Sequence, residues 1–450
     1  MSDSKESLAG FELSAEQQRL LARLLKEEGI ESAKSQRTIP RDGSVSEKIP
    51  LSFAQQRLWL LEQLEPGTSL YHIPVTLRLT GPLDRNALQQ ALTEIVRRHE
   101  VLRTRLEFCN GEPVQVIAPQ ATWEVLFEDL TNSSDAEKEA QSSIERLAHE
   151  PFDLCQGRPI RAKLLRLAED NHLLAIVMHH IASDGWSYGI LFKELSSLYT
   201  AFSQGKSSPL PDLPVQYADY AIQQRDWLQG EALTSRLDYW KQRLRGAPEL
   251  LELPTDYQRP AKQSLSGGRQ QAFLPAELVA DLENLSRREG VTLFMTLLAA
   301  VKLLLYRHTG QPDVVVGIPS AGRSRTEFEN LIGFFINTLV LRTDLSGNVS
   351  FRELIRRVRA VCIGAYDHQE MPFEKLVEEL QPQRSLNHTP LFQVFVNMFA
   401  LSDGLPEFPG LKVTALTPPE IGSKFDLTFY IQHYHAQLMI TLAYNKALFA

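Results

Sequence analysis

The stretch from His172 to Phe202 constrains the fold most. His172-Leu173-Leu174-Ala175-Ile176-Val177-Met178 is almost uniformly apolar, as a buried strand is. His179-His180-Ile181-Ala182-Ser183-Asp184-Gly185-Trp186-Ser187 follows without a break. Ile190, Leu191, Leu195, Leu198 and Phe202 then recur near helical spacing. Two histidines therefore stand where a buried strand ends, ahead of a tight turn and a helix N-terminus.

That placement suits acid–base chemistry. An imidazole titrates near neutral pH, and a strand end fixes where it sits. Asp184 can brace the loop through an ion pair, and Gly185 allows close backbone approach. A metal site would need further ligands at fitting spacing, and no His-Glu-x-x-His occurs; after His99-Glu100 the fifth position is Arg103. The reading is thus no metal. Ser187, at a helix start, reads as a cap.

The surrounding pattern is α/β in two halves. In the first, Ser52 and Gln55 have capping-box spacing ahead of Arg57-Leu58-Trp59-Leu60-Leu61, with Pro66-Gly67 closing that helix. Val75, Leu77 and Leu79 alternate as a strand does, and Leu88, Leu92 and Ile95 follow helical spacing. Extended segments are expected near 101–108, 113–118, 159–167 and 172–178, with a helix near 134–149. Residues 203–216 hold Gly, Ser and three Pro, a connector composition. The second half shows a core helix over Val291–Tyr306, a strand over Val314–Ile318, helices near 350–368 and 373–380, and strands near 391–399, 424–432 and 436–444. Gly317 to Gly322 has one residue too many for a nucleophile elbow and reads as a strand-to-loop turn. Similar size and content permit a duplicated fold with a cleft between halves. The first 48 residues stand apart: Ser14 and Gln17 cap a short amphipathic helix closed near Gly29, and Glu31–Lys48 reads as a linker. Such a helix packs back on the body or docks a partner chain. The expected units are 1–48, 49–215 and 216–450.

Composition narrows the function classes. Lys plus Arg is 47 and Asp plus Glu is 55, a net charge of −8 with no basic block, which argues against nucleic acid. Cys109, Cys155 and Cys362 form no paired spacing and read as reduced thiols. The start MSDSKESLAG has no signal-peptide pattern, and the Val291–Tyr306 stretch is shorter than a membrane span. A cytoplasmic enzyme or module is expected, with no membrane attachment. No phosphate-cradling or dinucleotide-binding glycine motif occurs.

The His-His-x-x-x-Asp-Gly stretch resembles the active-site motif of nonribosomal peptide synthetase condensation domains and their chloramphenicol-acetyltransferase-like relatives. Six further segments match in the family's order: Leu51–Trp59, Arg98–Thr104, Tyr217–Ala221, Ile332–Thr338 continuing to Arg342, His368–Glu374, and more loosely Arg384–Leu391. Together they cover the chain from about residue 49 onward. The resemblance implies two acetyltransferase-like lobes in a V, joined by crossing segments, with a tunnel between them. It implies amide formation between a donor acyl thioester and an acceptor aminoacyl thioester, both on phosphopantetheine arms. Upstream and downstream peptidyl carrier proteins, and an adjoining adenylation domain, are the implied partners of a monomeric domain. No carrier serine motif and no adenylation signature is present, so no intrinsic cofactor is expected.

The resemblance further gives His180 the central role, as base or as hydrogen-bond anchor of the amine; the sequence leaves these two open. His179 supports the loop. Asp184 pairs with an arginine, Arg323 by family analogy, with Arg325 and Arg342 as rivals, and the Gly185 amide faces the developing oxyanion. Trp186-Ser187 after Asp-Gly is similar to condensation rather than epimerisation domains, and the opening segment Leu51–Trp59 together with Trp186 resembles the subtype joining two L-residues. Two other readings are a free-standing coenzyme A-dependent acyltransferase and a non-catalytic carrier docking platform.

Overall fold

The structure, a computed structural model, describes residues 49–109, 111–119, 123–323, 325–382, 385–398, 405–416 and 422–450. The N-terminal helix and linker, Ser324 and Arg384 lie outside the described residues.

The first lobe runs β1 (Ile49–Pro50), α1 (Phe53–Leu64), β2 (His72–Thr80), α2 (Arg85–Arg98), β3 (Thr104–Cys109), β4 (Glu112–Ile117), β5 (Leu126–Asp129), α3 (Ala136–His149), β6 (Ile160–Ala168), β7 (Asn171–His179) and α4 (Gly185–Ser203). Ser52 caps α1 in a reciprocal box with Gln55. β7 is buried from His172 through His179, which explains its unbroken apolar run. It sits in the middle of a five-stranded sheet, paired antiparallel to β2 and β6. α2 packs on α4, and α3 lies over β2, β6 and β7. β1, β4 and β3 form a separate small sheet.

The second half adds α5 (Tyr217–Trp227), α6 (Gly230–Leu244), β8 (Gly267–Leu274), α7 (Ala276–Glu289), α8 (Leu293–Thr309), β9 (Asp313–Ser320), β10 (Asn337–Asp344), α9 (Phe351–Asp367), α10 (Phe373–Leu380), β11 (Val394–Met398), β12 (Lys412–Ala415), β13 (Leu427–Tyr434) and β14 (Gln437–Asn445). Its six-stranded sheet has the order β10-β9-β11-β13-β14-β8, with β9, β11 and β13 parallel. The expected core helix is α8: Thr292 caps it, and Gly310 ends it at φ 70°. Lys302 interrupts its apolar face, with no ion pair among the described residues. The buried ammonium donates to Val314 O at 3.1 Å and Leu341 O at 2.6 Å, and burial pushes its pKa down to about 7. Among the described residues, no single helix is long and apolar enough to cross a membrane.

The two lobes interpenetrate. β12 joins the first sheet, with Lys412 opposite Thr80 and Ala415 opposite Leu77. Phe328, Leu331, Ile332, Phe335 and Phe408 are buried in the first lobe's apolar core, although they belong to the second half of the chain. The helices α5, α6 and α7 and the strands β8, β10 and β12 go beyond the elements expected from sequence. α5 mixes apolar and polar residues along Tyr217–Trp227 without a clear stripe, and β8 is largely exposed, so neither carries a clean period.

Candidate active site

The two histidines part company at the end of β7. His179 is the last strand residue, 1% exposed, and opposite His72 in the ladder. Its Nδ1 accepts the Ile181 N–H at 3.0 Å, so the ring carries its proton on Nε2, a buried atom with no hydrogen-bond partner. His72 is the reverse: its Nδ1–H donates to Ala148 O at 2.7 Å, leaving a bare, unpartnered Nε2. Phe152 packs edge-on against both rings. His179 is therefore sealed behind the loop and held to the backbone of Ile181.

His180 turns the other way. Its backbone N–H donates to Tyr71 O at 2.7 Å, and its ring stands edge-to-face against Phe334, centroids 5.1 Å apart. Its side chain keeps partial solvent access, unlike His179. Nδ1 lies 2.9 Å from Ser183 O. A carbonyl can only accept, so Nδ1 carries the proton and Nε2 presents a lone pair. Desolvation first, then the Lys424 ammonium, hold the imidazole pKa well below the usual 6.5. At neutral pH the ring is uncharged.

Asp184 is the N-cap of α4 and fully buried. Oδ1 accepts from Ser187 N at 2.9 Å and Ser187 Oγ at 2.7 Å, and Oδ2 accepts from Phe335 N at 3.1 Å. Arg323 Nη2 reaches both oxygens, at 3.1 and 3.3 Å. Its Nη1 donates to Phe328 O and Leu331 O at 2.7 and 2.8 Å. Of the rival arginines, Arg342 pairs with Asp313 at 2.8 Å, and Arg325 opens the turn Thr326–Phe328. Ser187 Oγ also bonds Gly333 O at 3.0 Å, and Trp186 Nε1 donates to Glu329 O at 2.9 Å. Gly185 is exposed, and a Cβ there would meet nothing within 4 Å. Its backbone and packing do not require glycine, so the space in front of it is open to a ligand.

Most of the other motif segments are tied to this loop, directly or through one another. Gln55 Nε2 donates to Ile181 O at 3.2 Å. Tyr217 OH lies 2.8 Å from Ser52 Oγ and donates to Phe334 O at 2.7 Å, fixing the ring neighbour of His180. His99 Nδ1 accepts from Ile332 N at 3.2 Å, and its Nε2 lies 3.1 Å from Glu194. Arg98 pairs with the same carboxylate at 3.1 Å. Asn337 Nδ2 donates to Gln369 O and Met371 O, both at 2.7 Å, tying the fifth segment to the sixth. Asn387, of the loosest segment, accepts from Arg259, which also pairs with Asp426 at 2.5 Å.

Two residues at the site escape a reading of the sequence. Glu194 carries a signal: a carboxylate among the apolar positions Ile190, Leu191, Leu195 and Leu198 needs a buried partner. Lys424 carries none, being a single lysine ahead of β13.

The buried rings set an acid limit on stability. Burial pulls His72 down to about 4 and His179 to about 3. Unfolding returns both to about 6.5, so between those values the unfolded chain binds more protons. Stability is full above pH 6.5 and falls below it by about 1.4 kcal/mol per pH unit for each ring. His72 and His179 together should therefore contribute about 4 kcal/mol to the drop in urea-unfolding free energy between pH 7.5 and pH 5. His72→Asn keeps an N–H towards Ala148 O and should lose about 2 kcal/mol less over that interval than the parent. Equal pH sensitivity in both proteins would refute the assignment.

The chain belongs to the condensation-domain family of nonribosomal peptide synthetases: the family model for the condensation domain matches residues 45–450. It is 49% identical over 427 residues to one of the subunits of linear gramicidin synthase from Brevibacillus parabrevis, covering 92% of this chain and 8% of that protein. It thus spans under a tenth of that relative's length. Among solved structures it resembles the X-domain from teicoplanin biosynthesis, with TM-score 0.81, 29% identity and 93% of each chain covered. The first condensation domain of the calcium-dependent antibiotic synthetase shares the fold at TM-score 0.72 and 23% identity, over 90% of this chain and 93% of that one.

Proposed function

We infer that the chain joins a donor acyl or peptidyl thioester to the amine of an acceptor aminoacyl thioester, each carried on the phosphopantetheine arm of a carrier protein. The observation that carries this reading is the His180 ring: neutral, fixed through Nδ1, with a bare Nε2 and an open Gly185 beside it. An acceptor amine must attack through its lone pair, and Nε2 can take a hydrogen bond from its N–H and aim that lone pair at the acyl carbon. A ring that resists a positive charge is a poor sink for a whole proton, so His180 acts as a hydrogen-bond anchor more than as a general base. Holding both thioesters in a tunnel between the lobes supplies proximity, worth up to roughly 7–11 kcal/mol in well-oriented systems. The Gly185 N–H, at the start of α4, faces the oxygen that gains charge. The opening segment Leu51–Trp59 and Trp186 support the subtype joining two L-residues.

The test supplies the chain with two loaded carrier proteins and follows the acceptor carrier by intact mass spectrometry. Transfer of the donor acyl group onto the acceptor amine is expected. Product from an acyl coenzyme A and a soluble amine, with none from the carriers, would overturn the reading.

A further inference from the structure

A half-buried lysine stands beside this site without a counter-ion. Lys424 lies just before β13, where the chain returns to the second lobe. The segment is pinned there: Ser423 N donates to Leu265 O at 2.9 Å, and Gln263 Nε2 donates to Lys424 O at 3.1 Å. The Lys424 ammonium sits over the Tyr71 ring, 4.7 Å from its centroid. Tyr71 is the residue whose carbonyl holds the His180 backbone N–H, and its ring lies 6.4 Å from that of His179. No carboxylate pairs with Lys424 among the described residues; its neighbour Asp426 is taken by Arg259. A half-buried cation that meets an aromatic face and, among the described residues, no carboxylate has a cost that ordinary surface lysines do not carry.

We propose that Lys424 is a positioning residue of the His180 site: its ammonium keeps a second positive charge off the imidazole and off the incoming amine, so that both enter the reaction with free lone pairs. This rests on the reading of His180 as the amine's hydrogen-bond acceptor. The physical warrant is Coulomb repulsion between like charges on either side of the Tyr71 junction. The other charged and titratable groups facing the junction do not substitute for it. From α1, Arg57 pairs with Glu374 at 3.3 Å, and Glu62 accepts from Gly67 N. Glu65, just past α1, pairs with Lys262 at 2.5 Å. His72 from β2 and His179 from β7 are both uncharged at neutral pH, and Arg161 from β6 lies over Phe152. The direction of the Lys424 effect on His180 agrees, since the ammonium lowers the imidazole pKa and is itself held down to about 8 by burial.

The experiment compares the full chain with Lys424→Met and Lys424→Arg. Peptide formation between loaded carriers is measured in single turnovers from pH 5.5 to 9. Lys424→Met should lose about 3- to 10-fold more rate at the acid end than at the alkaline end, as a rise in the protonation midpoint demands. Lys424→Arg should keep the acid limb where the parent has it. An equal loss at every pH would mean a merely structural role and overturn the proposal. A second readout needs no turnover: the His180 ring resonance, assigned with His180→Asn, is titrated in the ligand-free chain. Its midpoint should rise in Lys424→Met and not in Lys424→Arg, and a coincident midpoint in all three would also overturn it. Absence of any peptide from the parent chain would instead count against the proposed function and leave the ring titration to decide on Lys424.

Discussion

Replacing His180 with Ala should slow peptide formation by about 10²- to 10⁴-fold, the range for losing a positioned proton-handling group. That corresponds to roughly 3–5 kcal/mol of transition-state stabilisation. Two further substitutions separate its possible roles. His180→Asn places an amide N–H where Nδ1 donates to Ser183 O at 2.9 Å, so the loop keeps its bond while the acceptor at Nε2 disappears. It should be as slow as the alanine variant and as stable as the parent. His180→Gln extends an amide oxygen towards the Nε2 position. That oxygen can accept a hydrogen bond from the amine but cannot take its proton. If His180 anchors the amine, the glutamine variant should retain part of the rate; if it removes a proton, glutamine should fall to the alanine level. Full activity in all three variants would remove His180 from the reaction altogether.

What the sequence reveals and what it hides follow from the range of the interactions involved. The β7 apolar run, the capping box of Ser52 and Gln55, and the apolar stretch Val291–Tyr306 are local patterns, and each element lies close to where its pattern puts it. The helix α8 runs past an awkward lysine because Lys302 finds its partners on β9 and β10, which no local pattern reports. β12 is invisible for the same reason: four residues with little apolar content become a strand only because the edge of β2 is there to pair with. At the site, the histidine pair and Asp184 are legible as a contiguous motif. The different fates of the two rings are not, since they depend on which nitrogen each backbone group meets. His179 receives an N–H and is sealed, whereas His180 gives its Nδ1–H to a carbonyl and keeps the opposite nitrogen free. Lys424 comes from the other lobe and shows only when the two halves are brought together.

The largest stability effect should come from the brace behind the loop. Arg323 and Asp184 are 1% and 0% exposed in their side chains, so neither charge can turn to water if its partner is removed. Arg323→Met should cost about 3–5 kcal/mol in urea unfolding, because it strands a buried carboxylate and frees Phe328 O and Leu331 O. Adding Asp184→Asn should return part of that loss. The amide keeps an oxygen for the N–H of Ser187 or Phe335, and the uncompensated charge is gone. The two substitutions should therefore be strongly non-additive, with a coupling well above the few tenths of a kcal/mol seen for independent sites. Peptide formation should not recover alongside stability. Asp184 ties the start of α4 to Phe335, and Phe334 next to it is the wall against which the His180 ring stands. A neutral pair holds the fold but lets that wall shift, and a displacement of about 1 Å at a reacting group can cost roughly 100-fold in rate. Additive losses in the double variant would show that the pair is not the brace, and a double variant with full rate would show that the brace does not set the position of His180.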